Sequence, residues 1–487
     1  MKTSPSLLLS LTPLLLLCSC AVGPDYKRPE DLPEMKAFRS PLAPDTQKSL
    51  ANLKWWEMYN DPELTALIKN ALESSPDMKL AIARVEEFRA RAGLSRSQGL
   101  PQMGIGGGAT EQYTSFRSTY PTDTGLYSIP AGQIRDTYSA SASFSWELDF
   151  WGRIKRANEV ARAQLAAQED FQRGVIISLV AETATGYFLL RDFDAQLAIS
   201  QTTLKDRQEA MRIGKARFDK GLISELDYKQ FEADVASSMR QIAEFQGQVS
   251  LQENNLSVLV GRVPSAITRG KSLSAQKLPA DIPSGLPADL LLRRPDLLQA
   301  EASLRAATAN IGFQIANRYP KFALTGSFGA SGPDLVRTIA GGLGLNWNIL
   351  DGGRGRAEVD IARAQAAQAV AQYEKAILNA FREVDNALVL VKSTRAQWTA
   401  LRDQVAALQV ANDISGKRYE QGLVTYLDVI TTERDLLNAQ LQLSQVHRAY
   451  LVAVVDLYKA LGGGWDEVAP TPQTAEKMTG DMGTEKK

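Results

Sequence analysis

The chain has 487 residues with 55 basic and 55 acidic side chains and a single histidine, so no net field draws it toward nucleic acid or an acidic partner. Aromatics make up only 7%, and long Ala/Gln/Arg/Glu/Leu stretches run almost without Gly or Pro. That composition excludes a string of ordinary globules and fits long packed helices.

Residues 1–19 read as a signal peptide: Lys2 is the charged start and residues 7–17 the apolar stretch, too short to span a bilayer. The segment ends Leu17-Cys18-Ser19-Cys20, which resembles a bacterial lipobox. The resemblance implies cleavage before Cys20 and a lipid (palmitate) on its thiol, leaving no thiol pair for a disulfide. Ala21 follows where retention at the inner membrane uses aspartate, which implies sorting to the outer membrane. No second apolar run is long enough for a transmembrane helix, so any membrane crossing must use strands.

The rest is a tandem duplication, 62–262 and 287–464, flanked by 20–61, a linker 263–286 and a tail 465–487. WELDFWGR at 146–153 answers WNILDGGR at 347–354, a displacement of 201 residues shared by Glu182 with Glu383 and by Gly261 with Gly462. Upstream the displacement is 219, as in Pro76-Asp77 with Pro295-Asp296 and Pro101 with Pro320. The difference places an insertion of 18 residues in the first copy, between Pro101 and Trp146.

Each copy predicts a helix (62–97; 287–317), a β-hairpin (103–149; 321–350), a very long helix (153–214; 354–415), a tip (217–227; 418–428) and a return helix (225–260; 426–461). The long helices would span roughly 90 Å at 1.5 Å per residue, which implies coiled-coil-like packing on neighbours. In 137–149, Tyr138, Ala140, Ala142, Phe144, Trp146 and Leu148 alternate strictly with Ser139, Ser141, Ser143, Ser145 and Glu147. Leu343, Leu345, Trp347 and Ile349 alternate likewise with Gly344, Asn346 and Asn348. Such strands suit lipid on one face and water on the other, and a half-buried soluble hairpin has the same pattern. Four strands cannot close a barrel, so strands in lipid must be completed by other copies of the chain.

The two tips, RFDKGLISELD and RYEQGLVTYLD, match in arginine, aromatic, glycine, leucine and aspartate. Gly221 and Gly422 supply the left-handed residue that ends a helix. Ser224 and Thr425 then cap the return helices, with Asp227 and Asp428 three residues on as in a capping box. Arg217 and Arg418 either pair with neighbouring carboxylates or stay solvated.

With the lipobox, GPDYKRP (23–29), LRRPDLLQAEASLRAATANIG (292–312) and YPKFALTGSFG (319–329), the duplicated halves resemble the TolC-like outer-membrane efflux proteins, specifically their lipidated, OprM-type branch. The resemblance runs from Cys20 to about residue 464. It implies a membrane α+β fold: a homotrimer whose chains each add four strands to a twelve-stranded barrel that continues into a periplasmic α-helical barrel. It also implies an equatorial belt from 263–290 and the segments near both termini. The function implied is passive exit of drugs or other small toxic compounds, with a periplasmic adaptor and an inner-membrane RND-type pump as partners and no cofactor. Asp428 and Tyr419 match family positions that constrain the closed entrance, with Asp227 as counterpart in the first half. Val424 and Thr431 stand where TolC has an arginine and a second acid, so a double acidic ring is not implied. Gly221, Leu222, Ile223, Gly422, Leu423 and Val424 are the implied adaptor contacts.

A type I protein-secretion outlet and a metal-efflux outlet remain open within the channel class. A lipoprotein coiled-coil spacer explains the helices and the anchor but not two amphipathic hairpins in register with the duplication. Catalysis has no support: His447 reads as a helix-surface residue, and no Ser-His-Asp or metal-ligand spacing appears. GIGGG (104–108) lacks the lysine of a phosphate loop and fits a strand.

Overall fold

The computed structural model describes residues 21–35, 38–39, 55–115, 117–129, 132–276, 293–332 and 334–463. Cys20, the signal peptide, residues 36–37, 40–54, 116, 130–131, 277–292 and 333, and the tail from 464 onward lie outside the described residues.

The elements follow the duplication. The first copy has α1 (Pro62–Ser74), α2 (Pro76–Ser97), β1 (Gln102–Thr114), β2 (Ser118–Thr122), β3 (Gly125–Ile129), β4 (Gln133–Leu148), α3 (Arg153–Phe218) and α4 (Glu225–Leu259). The second has α5 (Pro295–Asn317), β5 (Lys321–Gly332), β6 (Val336–Asn346), α6 (Arg354–Glu420) and α7 (Tyr426–Ala460).

Two differences from expectation have local causes. The helix expected over 62–97 is two helices: Ser75 is extended (ψ 134°) because Pro76 bars it from helical geometry, and Pro76 then opens α2. The 18-residue insertion is not a plain loop but a second hairpin, β2 with β3, pairing Ser118 with Ile129 through Thr122 with Gly125. Contrary to the expectation of no second apolar run, one 18-residue stretch of α3 is apolar enough by composition to cross a membrane; more than half of it is buried in the protein. Ile176, Leu179, Val180, Tyr187, Phe188 and Leu190 account for this, since they point into the core.

One compact unit comprises the described parts of Met1–Glu30, Glu87–Ala166 and Glu301–Ala371. Its centre is an antiparallel sheet in the order β1-β4-β5-β6, with β1 and β6 as open edges. Register decides its chemistry. Met103 pairs with Phe144 and Ile105 with Ala142. Phe144 pairs with Gly326, Ala142 with Phe328 and Trp146 with Leu324, and Leu343 and Ile339 pair with Leu324 and Phe328. One face is therefore continuously apolar. The other carries Ser139, Ser141, Ser143, Ser145, Thr325 and Ser327 with small glycines opposite. The apolar side chains are open: Ile105 is 94%, Met103 83% and Ile339 82% exposed. From Tyr138 to Leu148 the band runs ~33 Å along the strand, or ~25 Å tall at a tilt near 40°, the height of an outer-membrane apolar belt.

The N-terminal segment is fastened to this unit. Val22 N–H donates to the Trp151 carbonyl (3.1 Å), and Arg156 donates to the Val22 and Gly23 carbonyls. Arg28 and Tyr26 donate to the buried Glu301. A Cβ on Gly23 would collide with the backbone of Gly312, so the strap crosses α5 glycine on glycine.

The other unit comprises the described parts of Asp31–Glu86, Ala167–Ala300 and Gln372–Lys487. Trp55, Tyr59, Phe188 and Tyr458 form its aromatic core. Asp61 is fully buried, caps α1, and accepts from Tyr187 Oη, Lys271 N–H and Gln276 Nε2. Buried Arg294 grips Asp296, Glu383 and the Ala460 carbonyl.

Candidate functional site

Both tips are built alike. Gly221 (φ 68°) and Gly422 (φ 73°) adopt the left-handed conformation. Leu222 N–H reaches the Arg217 carbonyl and Gly221 N–H that of Phe218; Leu423 and Gly422 repeat this on Arg418 and Tyr419. This double bond pattern is the Schellman termination. The return helices start as expected. Asp227 accepts from the amide and hydroxyl of Ser224 (3.2 and 2.8 Å), and Asp428 from those of Thr425 (2.9 and 2.7 Å). The Thr425 hydroxyl and amide hold the exposed Asp428 carboxyl below the usual carboxylate range.

The structure brings some of the site residues together and keeps others apart. The Arg217 guanidinium lies 5.1 Å over the Tyr419 ring, so this arginine uses neither a carboxylate nor solvent alone. Tyr419 in turn packs on Tyr426 (5.6 Å), which with Phe231 and Val429 forms a small core also touching Ile223. Asp428 is spent on its own cap. Arg418 is exposed and makes no ion pair among the described residues. Leu222 and Leu423 project from the tips, 70% and 67% exposed, while Val424 is half-buried.

One charged cluster near the tips escaped the sequence reading. Arg207 is buried and donates to the Asp234 carbonyl (3.1 Å) and Ser238 Oγ (2.9 Å), leaving its Nε without a partner. A cavity of about 520 Å³ beside it is lined by Asp206, Asn412, Asp413 and Glu433. Burial pushes the carboxyls of Asp234 and Glu433 up from the ordinary range, and Arg207 opposes this. The available signal was helical spacing: Arg207 falls on the inward stripe with Thr203, Ala210, Met211 and Gly214.

His447 is a correction. It is buried rather than on the helix surface, with its ring 5.5 Å from that of Trp398, and burial lowers its pKa. Ser444 Oγ, one turn away, donates to buried Asp192, which also takes Arg448 Nε (3.0 Å). The serine proton is thus directed at a carboxylate and not at the imidazole, so the three residues do not form a nucleophilic triad.

A family model described as outer membrane efflux protein matches residues 67–262 and 286–463, the two copies themselves. The chain belongs to that family. This efflux channel is 31% identical over 474 residues to the toluene efflux pump outer membrane protein TtgC of Pseudomonas putida, covering 95% of this chain and 96% of the relative. It is 32% identical over 478 residues to the cation efflux system protein CusC of Escherichia coli, covering 95% and 100%. Among solved structures, the outer-membrane channel OprN superposes with TM-score 0.82 at 26% identity, over 92% of this chain and all of that one. A CusC structure superposes with TM-score 0.77 at 30% identity, over 91% and 100%. The channel therefore has the TolC-like fold, a strand sheet for an outer-membrane barrel together with a helical domain, and it is an outer-membrane exit duct of an efflux system.

Proposed function

We propose that three copies close one twelve-stranded barrel, and that the duct passes drugs, solvents or similar small toxic compounds delivered by an RND-type pump through a periplasmic adaptor. The observation that carries this is the sheet: four strands, one face apolar and open, and two unpaired edges, β1 and β6. Each unpaired edge group in hydrocarbon costs several kcal/mol, which only partner strands can remove. Cysteine pairs placed at Ile105 and Ile339, which end one cross-strand row on the two edges, test the closure. Dimer and trimer ladders on oxidation support it; a monomer alone would sink it.

Cys20 carries lipid on this reading. Support comes from the lipobox-like sequence and from the fastening of Val22, two residues on in the chain, to Trp151 at the foot of β4. Intact-mass measurement of the mature protein decides it. The tips form the periplasmic entrance: Arg217, Tyr419, Asp227, Asp428 and Arg418 restrain it, and exposed Leu222 and Leu423 meet the adaptor.

Cation cargo is the second reading, favoured by the likeness to CusC. A deletion strain exposed to toluene and, separately, to copper separates the two. Tolerance restored by the gene for toluene alone supports organic cargo, and restoration for copper alone supports the metal.

A further inference from the structure

We propose that a cationic cavity at the foot of β5 and β6 binds the headgroup of an anionic glycerophospholipid in the periplasmic leaflet of the outer membrane. The cavity measures about 420 Å³, and its lining includes Arg318, Lys321, Trp347, Arg354 and Arg356. Two acids share it, and both are committed. Asp351 accepts from the amides of Gly353 (2.9 Å) and Gly355 (2.8 Å), and Glu358 accepts from Arg354 Nε (2.8 Å). Arg318, Lys321 and Arg356 make no side-chain hydrogen bond or ion pair among the described residues. Four basic and two acidic side chains line this concave space, so it carries a net charge of +2.

Depth fits a headgroup. Leu343 and Leu345 close the apolar face of β6, and Trp347 follows, half exposed at 51%, with its indole N–H fixed on the Arg318 carbonyl (3.1 Å). Ile349 and Leu350 beside it are 73% and 95% exposed. An interfacial tryptophan, open aliphatic side chains and guanidinium groups are what acyl chains and a phosphodiester meet in turn.

The duplication supplies a control. In the first copy Trp146 makes the same bond, to the Gly99 carbonyl (3.1 Å). There Gly99 stands at the position of Arg318, Gln102 at that of Lys321, and Ile154 at that of Gly355. Ile154 is buried and packs over Gly99, filling the corner with hydrocarbon. The second copy has lost that plug and gained two cations, Arg318 and Lys321, while Arg356 keeps the charge that Lys155 carries in the first.

The test places the purified channel in phosphatidylethanolamine nanodiscs containing a minor fraction of brominated phosphatidylglycerol or brominated phosphatidylcholine. The Trp347 contribution is taken as the difference from Trp347→Phe. Quenching should favour the phosphatidylglycerol by on the order of fivefold. Arg318→Ser/Lys321→Gln/Arg356→Ser should abolish the preference without altering oligomeric state. Native mass spectrometry should find retained phosphatidylglycerol on the wild type and none on the triple variant, a readout independent of tryptophan. Equal quenching by both lipids would overturn the proposal, and so would protection from both, which would mean that a second copy covers the cavity. Relief of quenching by free glycerol phosphate would identify a soluble-anion site instead and equally refute the lipid.

Discussion

Arg217, in the last turn of α3, stacks its guanidinium on the ring of Tyr419, in the last turn of α6, so a residue from each half of the duplication meets at the tips. Such a contact contributes ~0.5–1 kcal/mol at an exposed site. Arg217→Ala and Tyr419→Leu should each raise single-channel conductance in planar bilayers. Tyr419→Phe keeps the ring and should stay near wild type. Conductance unmoved by Arg217→Ala would reduce the pair to packing.

Asp428 separates capping from gating. Asp428→Asn keeps an acceptor for the Thr425 hydroxyl but removes the charge, whereas Thr425→Ala weakens the cap and keeps it. Loss of the cap costs ~1 kcal/mol and should appear as a lower unfolding midpoint. If the carboxylates ring the entrance, Asp428→Asn alone should lower cation selectivity, measured as a reversal potential under a salt gradient. The neighbouring hydroxyl and amide depress this carboxyl, so its stabilising effect is present above the ordinary carboxylate range and lost as pH falls below it.

Glu433 predicts the opposite sign. Burial raises its pKa first, and Asp234 and Asp206 add to that. The folded state then binds the proton more tightly than the unfolded chain, so the contribution is complete below the unfolded value near ~4.3 and declines as pH climbs through the folded one. Glu433→Gln should unfold at a higher temperature than wild type at pH 8, with the gap closing toward pH 4. A constant gap would place its origin elsewhere.

His447 should make the channel acid-sensitive. Burial lowers its pKa, so the unfolded state takes up the proton first, and stability falls as pH drops below the ordinary histidine value of about 6.5. His447→Gln should flatten thermal stability between pH 7 and 5. An unchanged slope would assign it to carboxylates.

Much of this architecture was legible because duplication turns weak signals into paired ones. Gly221 and Gly422 ended their helices as placed, and Asp227 and Asp428 capped as placed, since these are local backbone requirements. The strand alternation around Phe144 was equally plain. What escaped was set by tertiary context. Pro76 broke a helix that periodicity ran through, and the inserted segment had enough Thr and Tyr to form its own hairpin. His447 and Arg207 were hidden because only a neighbouring helix tells a buried polar face from a wet one. The outward leucines of the tips could be placed at the corner, but not what they touch.

The β2–β3 hairpin belongs to the first copy only, whereas β5 and β6 are joined by a short turn. In a ring of three chains the exterior rim would therefore alternate tall and low around its circumference. A phage or an antibody approaching the cell would meet three raised flaps where the helices beneath repeat six times, and sequence drift in those flaps would change what the outside recognises while leaving the conduit untouched.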